Sequence, residues 1–349
     1  MIRIVQGNLL ESHAEALVNT VNAVGVMGKG IALQFKKAFP KNFKAYEAAC
    51  KEGQVRPGSM FITPLQALHG PRYIVNFPTK RHWKGHSRLE DIEAGLNALV
   101  QDVRRLGITS IAIPPLGCGL GGLSWSDVKA RIETAFFDLP KVEVCLYEPK
   151  GAPPSETMPN RTVKPDMTSG KAALLCLINE YASILFDPIL TVIEIQKLCY
   201  FLQIAGEPLR LKFQKWHYGP YADNLRHVMS AIDGHYISGW GDGPNRPLTM
   251  IRLLPNAAHE AKKYLRNSNQ TTTHLNSVIT LVEGFESPYG MELLGTVHWV
   301  MVQELTKEQY DLNSVLEKIS NWTDRKSRMF KQPHVLLALE RLQELGWTN

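Results

Sequence analysis

Residues 16–35 read ALVNTVNAVGVMGKGIALQF, and this stretch decides the first half of the chain. The apolar run from Ala16 to Val21 predicts a strand, closed by Asn22 in Asn19-Thr20-Val21-Asn22. Gly25-Val26-Met27-Gly28-Lys29-Gly30 follows directly and opens a helical segment, Gly30 to Cys50, with Ile31, Phe35, Ala38 and Phe39 on one face. Pro40 breaks or kinks that helix. A second loop of the same kind, Gly117-Cys118-Gly119-Leu120-Gly121-Gly122, lies between the strand Ser110 to Ile113 and the helix Ser124 to Phe137. Glycines let backbone N–H groups turn towards an anion, and a helix N-terminus adds a favourable dipole. Two such loops in one α/β unit make a cradle for a diphosphate; the plainer alternative is a pair of tight turns. Neither loop has P-loop spacing, and neither is a GxGxxG followed by the acidic residue of a dinucleotide fold.

Working outward, strands are expected at Ile2 to Val5, Ser59 to Ile62, Tyr73 to Phe77 and Val142 to Tyr147. A helix is expected over Ser87 to Leu106, with Ser87 and Glu90 spaced as a capping box. The alternation predicts an α/β fold, a central parallel or mixed sheet covered on both faces, with ligands beyond the carboxyl ends of its strands. This domain is assigned residues 1–150. Residues 151–170, rich in Pro, Ser and Thr, read as a linker. Residues 171–349 read as a mainly α-helical domain. Its helices are Lys171 to Phe186, Val192 to Gly206, Tyr221 to Asp233, Ala257 to Ser268, Asn276 to Phe285, Met291 to Leu305, Leu312 to Asn321 and Val335 to Leu345, with a small hairpin around His235 to Leu254.

The chain has 349 residues, 44% hydrophobic and 21% charged, with a formal net charge of +6. These values exclude a mostly disordered chain. Lys and Arg outnumber Asp and Glu by 19 to 14 in residues 1–160 and by 20 to 19 thereafter. The basic excess of the first part suits a diphosphate or nucleic acid; scattered solvated lysines are the alternative. Five separate cysteines, none in a CxxC pair, fit a reducing cytoplasm and argue against a zinc site or a disulfide framework. MIRIVQGNLL reads as a strand, not a signal peptide, and no apolar run reaches membrane-spanning length.

Lys80 follows Asn76-Phe77-Pro78-Thr79 at the end of a strand. A lysine over a ligand pocket steers a phosphate, or acts as a nucleophile once its pKa falls. The alternative is a surface lysine in a basic stretch with Arg81, Lys84 and Arg88, where His82 and His86 are bystanders. Asn22 can bind a sugar hydroxyl or hold a turn. Tyr147 can stack on a base or pack at the core's edge. Tyr200, Phe201 and Trp216 read as core.

Together these segments resemble a macrodomain, an ADP-ribose-binding α/β/α fold. The carrying motifs are Gly7-Asn8-Leu9-Leu10, Asn19 to Asn22, Gly25 to Phe35 and Pro115 to Trp125. The two loops with Asn22 and Lys80 resemble the DarG branch, the DNA ADP-ribosyl glycohydrolase antitoxins of DarT–DarG toxin–antitoxin pairs. The resemblance implies that Lys80 is catalytic and that Asn22 positions the ribose. It places Asn8 and Leu9 at the adenine edge. Thr20, Val21, Gly28, Lys29, Gly30, Ile31 and Ala32 would line the distal ribose and diphosphate, with Leu33 and Gln34 continuing the turn. Thr79 would sit beside Lys80, Gly117, Cys118, Gly119, Leu120 and Gly121 would wrap the diphosphate, and Tyr147 would join the binding residues. Two positions depart from relatives: many macrodomains carry Asp where Asn8 stands, and ester-cleaving relatives carry a catalytic Asp where Gly121 stands.

The implied function is removal of ADP-ribose from thymidine bases of single-stranded DNA, with ADP-ribose as product and no metal or other cofactor. Residues 80–88, with Trp83, would contact the flanking strand. The C-terminal domain resembles Panacea-type antitoxin domains through Ile195 to Phe201 and Trp216 to Tyr221. That implies direct binding of a DarT-like toxin, in the cytoplasm and without a membrane. The alternative is a non-catalytic ADP-ribose reader whose antitoxin action is sequestration alone.

Overall fold

In the computed structural model, which describes residues 1–66, 70–149, 157–185, 189–241 and 247–348, the apolar runs of the first part join one six-stranded sheet. The strands are β1 (Ile2–Val5), β2 (Ala16–Asn22), β3 (Phe61–Pro64), β4 (Tyr73–Lys80), β5 (Ser110–Ile113) and β6 (Glu143–Tyr147). Their order is β1-β6-β5-β2-β4-β3. All neighbours are parallel except β3, which runs antiparallel to β4 at the edge, so the sheet is mixed. Ala16, Leu17 and Val18 are all fully buried, as a central parallel strand with both faces covered must be.

Helices α1 (Gly30–Ala38), α2 (Pro40–Lys51), α3 (Leu89–Leu106) and α4 (Trp125–Phe136) supply that cover. Leu17, Ile74 and Ala112 pack with Phe35 of α1 on one face; Val18, Val75 and Ile111 pack with Ile92 of α3 and Ile132 of α4 on the other. Pro40 divides the expected Gly30–Cys50 helix in two and occupies the first turn of α2, where its missing N–H is harmless. Helix α3 packs unusually close to the sheet, because a Cβ built on Gly95 would lie 2.3 Å from the Phe77 ring.

The expected capping box at Ser87 does not form. Arg88 holds the cap position of α3 and no side chain caps it. The Ser87 N–H donates to the Gly121 carbonyl at 3.0 Å, so that N–H is spent on the second glycine loop, while the Ser87 hydroxyl is buried without capping the helix. Glu90 and Asp91 still place acidic groups at the positive end of the helix.

The chain divides into two units, Met1–Val163 and Lys164–Asn349. Of the expected linker, residues 151–156 lie outside the described residues. The second unit contains α5 (Ser169–Ile184), β7 (Leu190–Thr191), α6 (Val192–Ile204), β8 (Phe213–Trp216), β9 (Gly219–Ala222), α7 (Leu225–Ile232), β10 (Ile237–Ser238), β11 (Met250–Leu253), α8 (Ala257–Leu265), α9 (Asn269–Val282), α10 (Pro288–Glu304), α11 (Leu312–Ser320), α12 (Asp324–Met329) and α13 (Gln332–Glu344). It is mainly helical. Helix α6 begins with a capping box between Thr191 and Glu194. Tyr200 and Phe201 join its core.

Three expectations are corrected here. Tyr221 belongs to β9 of a two-stranded hairpin, and the following helix begins only at Leu225, because β8 pairs with β9. Trp216, read as core, is 55% exposed, since it stands beside the hairpin turn. The helix expected from Asn276 begins seven residues earlier, at Asn269. The hairpin expected around His235 to Leu254 is β10–β11, extended by β7 to three strands; residues 242–246 within it lie outside the described residues. Among the described residues no helix is long and apolar enough to cross a membrane.

Candidate functional site

Because β1, β2, β4, β5 and β6 are parallel, their carboxyl ends fall along one edge of the sheet. That edge collects Asn8 and Leu9 after β1, Thr20 to Asn22 on β2, Thr79 and Lys80 on β4, the second glycine loop after β5, and Tyr147 on β6. The first loop leads from β2 into the N-terminus of α1 at Gly30. The first-turn N–H groups of that helix lack intrahelical acceptors by construction, and its first turn carries no acidic residue.

Asn22 is buried and pins the first loop. Its side-chain oxygen accepts from the Val24 and Val26 N–H groups at 3.0 and 3.3 Å, and its amide nitrogen donates to the Val26 carbonyl. The Tyr46 hydroxyl donates to its backbone carbonyl at 2.6 Å. These bonds belong to the turn-holding reading of Asn22: the loop's shape hangs on this amide.

Val21 pairs with Pro78 and Asn22 with Lys80, so Thr79 is the extra residue of a bulge. A bulge re-aims the next side chain. Lys80 thereby reaches the second loop, where its Nζ donates to the Leu120 carbonyl at 2.5 Å. Its own carbonyl accepts from Ala23 of the first loop at 3.0 Å. The lysine thus bridges both glycine loops, and partial burial lowers its pKa from the ordinary lysine value.

The second loop is crowded at Gly121 and Gly117, whereas Gly119 faces open space. A Cβ on Gly121 would lie 2.2 Å from the Gly117 carbonyl oxygen and 2.3 Å from Ser87 Oγ. Gly117 has φ +71°, and a Cβ there would lie 2.9 Å from side-chain atoms of Leu123 and Ser87. A carboxylate side chain at Gly121, where the resemblance to ester-cleaving macrodomains would put one, cannot be accommodated by this backbone. Cys118 is half-buried and burial pushes its thiol up to about 11, so it is no ready nucleophile. Leu120 is 66% exposed at the loop's tip.

The remaining expected residues divide by burial. Leu9, Val21, Leu33, Gln34, Thr79 and Tyr147 have buried side chains and offer a ligand chiefly their backbone. Asn8 spends its amide locally, accepting from Leu10 N–H and donating to Glu11, both at 3.0 Å. Thr20 lies on β2, and Gly28, Lys29, Gly30, Ile31 and Ala32 form the end of the first loop and the start of α1. Beside Lys80, Arg81 is paired with Asp91 at 3.1 Å, whereas Trp83 is 49% exposed, stacked against His82 with Lys84 over its ring.

Sequence reasoning missed a buried asparagine network beneath the first loop. Asn19 and Asn76 face each other across β2 and β4, and Asn76 Oδ1 accepts from Asn19 at 3.0 Å and from Asn42 of α2 at 3.3 Å. Asn76 in turn donates to Asn42 at 2.8 Å. The available signal was asparagine at the centre of two otherwise apolar strands, which only a partner can justify.

A mixed sheet between two helical layers, with paired glycine loops over its carboxyl edge, defines a macrodomain, and the family model described as "Macro domain" matches residues 18–132. The chain is 46% identical over 346 residues to "DNA ADP-ribosyl glycohydrolase" of Thermus aquaticus, a match covering 99% of this chain and 94% of that protein. It is 37% identical over 142 residues to a "DNA ADP-ribosyl transferase-DNA ADP-ribosyl glycohydrolase fusion protein" of Thermosipho africanus, covering 36% of this chain and 37% of that one. The solved "Macrodomain of Mycobacterium tuberculosis DarG" is 54% identical, with 43% of this chain and 99% of that chain covered and a TM-score of 0.43. This chain belongs to the DNA ADP-ribosyl glycohydrolase family.

Proposed function

We propose that this protein is an antitoxin that removes ADP-ribose from thymidine bases of single-stranded DNA. Residues 1–150 would perform the hydrolysis, and residues 171–349 would neutralise a DarT-like toxin by direct binding. The observation that carries the enzymatic reading is Lys80, partly desolvated and held between the two glycine loops at the sheet's carboxyl edge. Family membership supports the substrate, and the transferase–glycohydrolase fusion of the Thermosipho relative supports the partner.

Burial favours the neutral form of an amine, and neutral amines attack. In this reading the Lys80 amine attacks the ribose C1″ as the bond to the thymine nitrogen breaks. The amine's proton passes to the departing base. Ring opening gives an imine between Lys80 and C1 of the ribose, and water releases ADP-ribose and the free amine. The backbone N–H groups of the two loops would hold the diphosphate, as fixed dipoles that need no reorganisation. Asn22 would act by holding the first loop in shape. Exposed Trp83, with Lys84, would stack and neutralise the strand beside the modified base.

A modified single-stranded oligonucleotide, incubated with wild type and Lys80→Ala, tests this on a gel. Release of ADP-ribose is expected from wild type, with a loss of at least about 100-fold in the variant. Borohydride should trap an adduct only when Lys80 is present. Cleavage by both proteins would remove Lys80 from the centre of the reaction. One observation favours a second reading, an ADP-ribose reader without hydrolysis: Gly121 leaves the second loop without a carboxylate. Binding of ADP-ribose with no cleavage by wild type would select it.

A further inference from the structure

The second unit carries a cavity of about 680 Å³, open to solvent on one side and lined by none of the candidate site residues. Its size is that of a ligand or side-chain receiving pocket. Its wall is apolar, with Ile193 at the start of α6, Leu248 and Met250 on the approach to β11, and Met329 at the end of α12.

Its floor is charged. Glu292, 1% exposed, accepts two bonds from Arg325 at 2.7 and 3.0 Å and one from Lys326 Nζ at 2.6 Å. Lys326 is fully buried and also donates to Thr296 at 3.1 Å. A second buried lysine, Lys197, donates to the Pro220 carbonyl at 2.9 Å. Glycines clear its path: a Cβ on Gly295 would lie 2.8 Å from Lys197 Cδ, and one on Gly219 would lie 3.1 Å from Cε. Two cationic side chains, Arg325 and Lys326, therefore share one carboxylate, and Lys197 is buried nearby. Burial and the neighbouring cation push Lys197 down to about 7, and burial pushes Lys326 down to about 8. With both lysines pushed towards their neutral forms, the permanent cation of the group is Arg325, which shares the one carboxylate with Lys326.

Arg325 is the member an incoming anion can reach. It lines the cavity, its side chain is 37% exposed, and its guanidinium lies 4.7 Å from the Tyr218 ring centroid. The two bonds to Glu292 leave N–H donors of its fork unused. At the cavity's rim, Leu248 and Met250 remain 62% and 64% exposed. A small acid seated inside would leave those side chains in water, whereas a polypeptide would cover them.

We infer that this cavity receives an acidic side chain of a partner polypeptide on Arg325, with apolar neighbours of that side chain covering Leu248 and Met250. The inference rests on the reading that the second unit binds a DarT-like toxin, which would supply the segment. An Arg and a Tyr at the centre of an apolar rim is the usual make-up of an interface hot spot.

The test is the affinity of the full chain for purified toxin, for wild type, Arg325→Met, Arg325→Lys and Leu248→Ser/Met250→Ser. Arg325→Met leaves Glu292 paired with Lys326 but removes two charged hydrogen bonds, so its unfolding temperature should fall while the fold is kept, as judged by circular dichroism. Both Arg325→Met and the rim variant should bind at least about tenfold more weakly, the order of a moderate hot-spot loss. Arg325→Lys should recover part of the loss, and DNA hydrolysis should be unchanged throughout. If Arg325→Met fails to fold, the rim variant decides. Wild-type affinity in both variants overturns the inference alone. Absence of toxin binding by wild type removes the reading beneath it and the inference together. Arg325-dependent binding of an unmodified single-stranded oligonucleotide assigns the cavity to nucleic acid and equally overturns it.

Discussion

Lys80 shows how one residue acquires chemistry from its surroundings. Its lowered pKa arises from burial, so the neutral amine gains population below the ordinary lysine range. If the amine attacks, kcat/KM should rise with pH through that lowered pKa and then level. A rate that falls over the same range would assign Lys80 an electrostatic role as the cation instead. His298 offers a second residue-scale prediction, on stability. Its Nε2–H donates to the Trp347 carbonyl at 2.9 Å and its Nδ1 accepts from the Tyr200 hydroxyl at 2.8 Å, which describes a neutral ring. Burial lowers its pKa from 6.5 to about 4. The unfolded chain therefore binds a proton that the folded chain does not, and stability falls as pH drops from about 6.5 to about 4. The loss attributable to this ring is about 3 kcal/mol. Urea unfolding at pH 7 and 4.5 should show His298→Gln losing less stability than wild type, and equal losses would exclude the ring as cause.

At the scale of elements, the contact of α3 with β4 depends on a missing side chain. A methyl group at Gly95 meets the Phe77 ring, whose neighbours are packed. Gly95→Ala should lower stability by about 1–3 kcal/mol, the ordinary effect of overpacking. Adding Phe77→Leu should recover part of it; additive losses in denaturant titrations would show that the two sites do not share a contact. The glycine loops make the parallel point for function. Gly121→Ala should abolish hydrolysis while leaving the sheet folded, as judged by unchanged circular dichroism. These loops were legible in the chain because glycine-rich segments between a strand and a helix have few other uses. The failure at Ser87 is equally instructive. Its spacing to Glu90 fits a capping box, but the Gly121 carbonyl, 34 residues away, takes its N–H.

For the whole molecule, the proposed function assigns hydrolysis to one unit and toxin binding to the other. In cells producing the toxin, full-length Lys80→Ala should still bind toxin but leave modified DNA uncleared, while Arg325→Met should clear DNA but hold toxin weakly. The double variant should protect least. Equal protection by all three would remove the division of labour.

The sequence by itself determined the order of strands and helices in residues 1–150, the two glycine loops and the lysine at the end of β4, because each is written in local periodicity or in residues with few conformational alternatives. It also carried the resemblance by which the family was recognised. Only the tertiary structure decided how those parts meet. The bulge at Thr79 that turns Lys80 towards Leu120, the asparagine network joining Asn19, Asn42 and Asn76, and the charged floor of Glu292, Arg325 and Lys326 all join residues distant in the chain. No local pattern encodes such pairings, since a buried polar group is stabilised by whatever partner the fold brings to it.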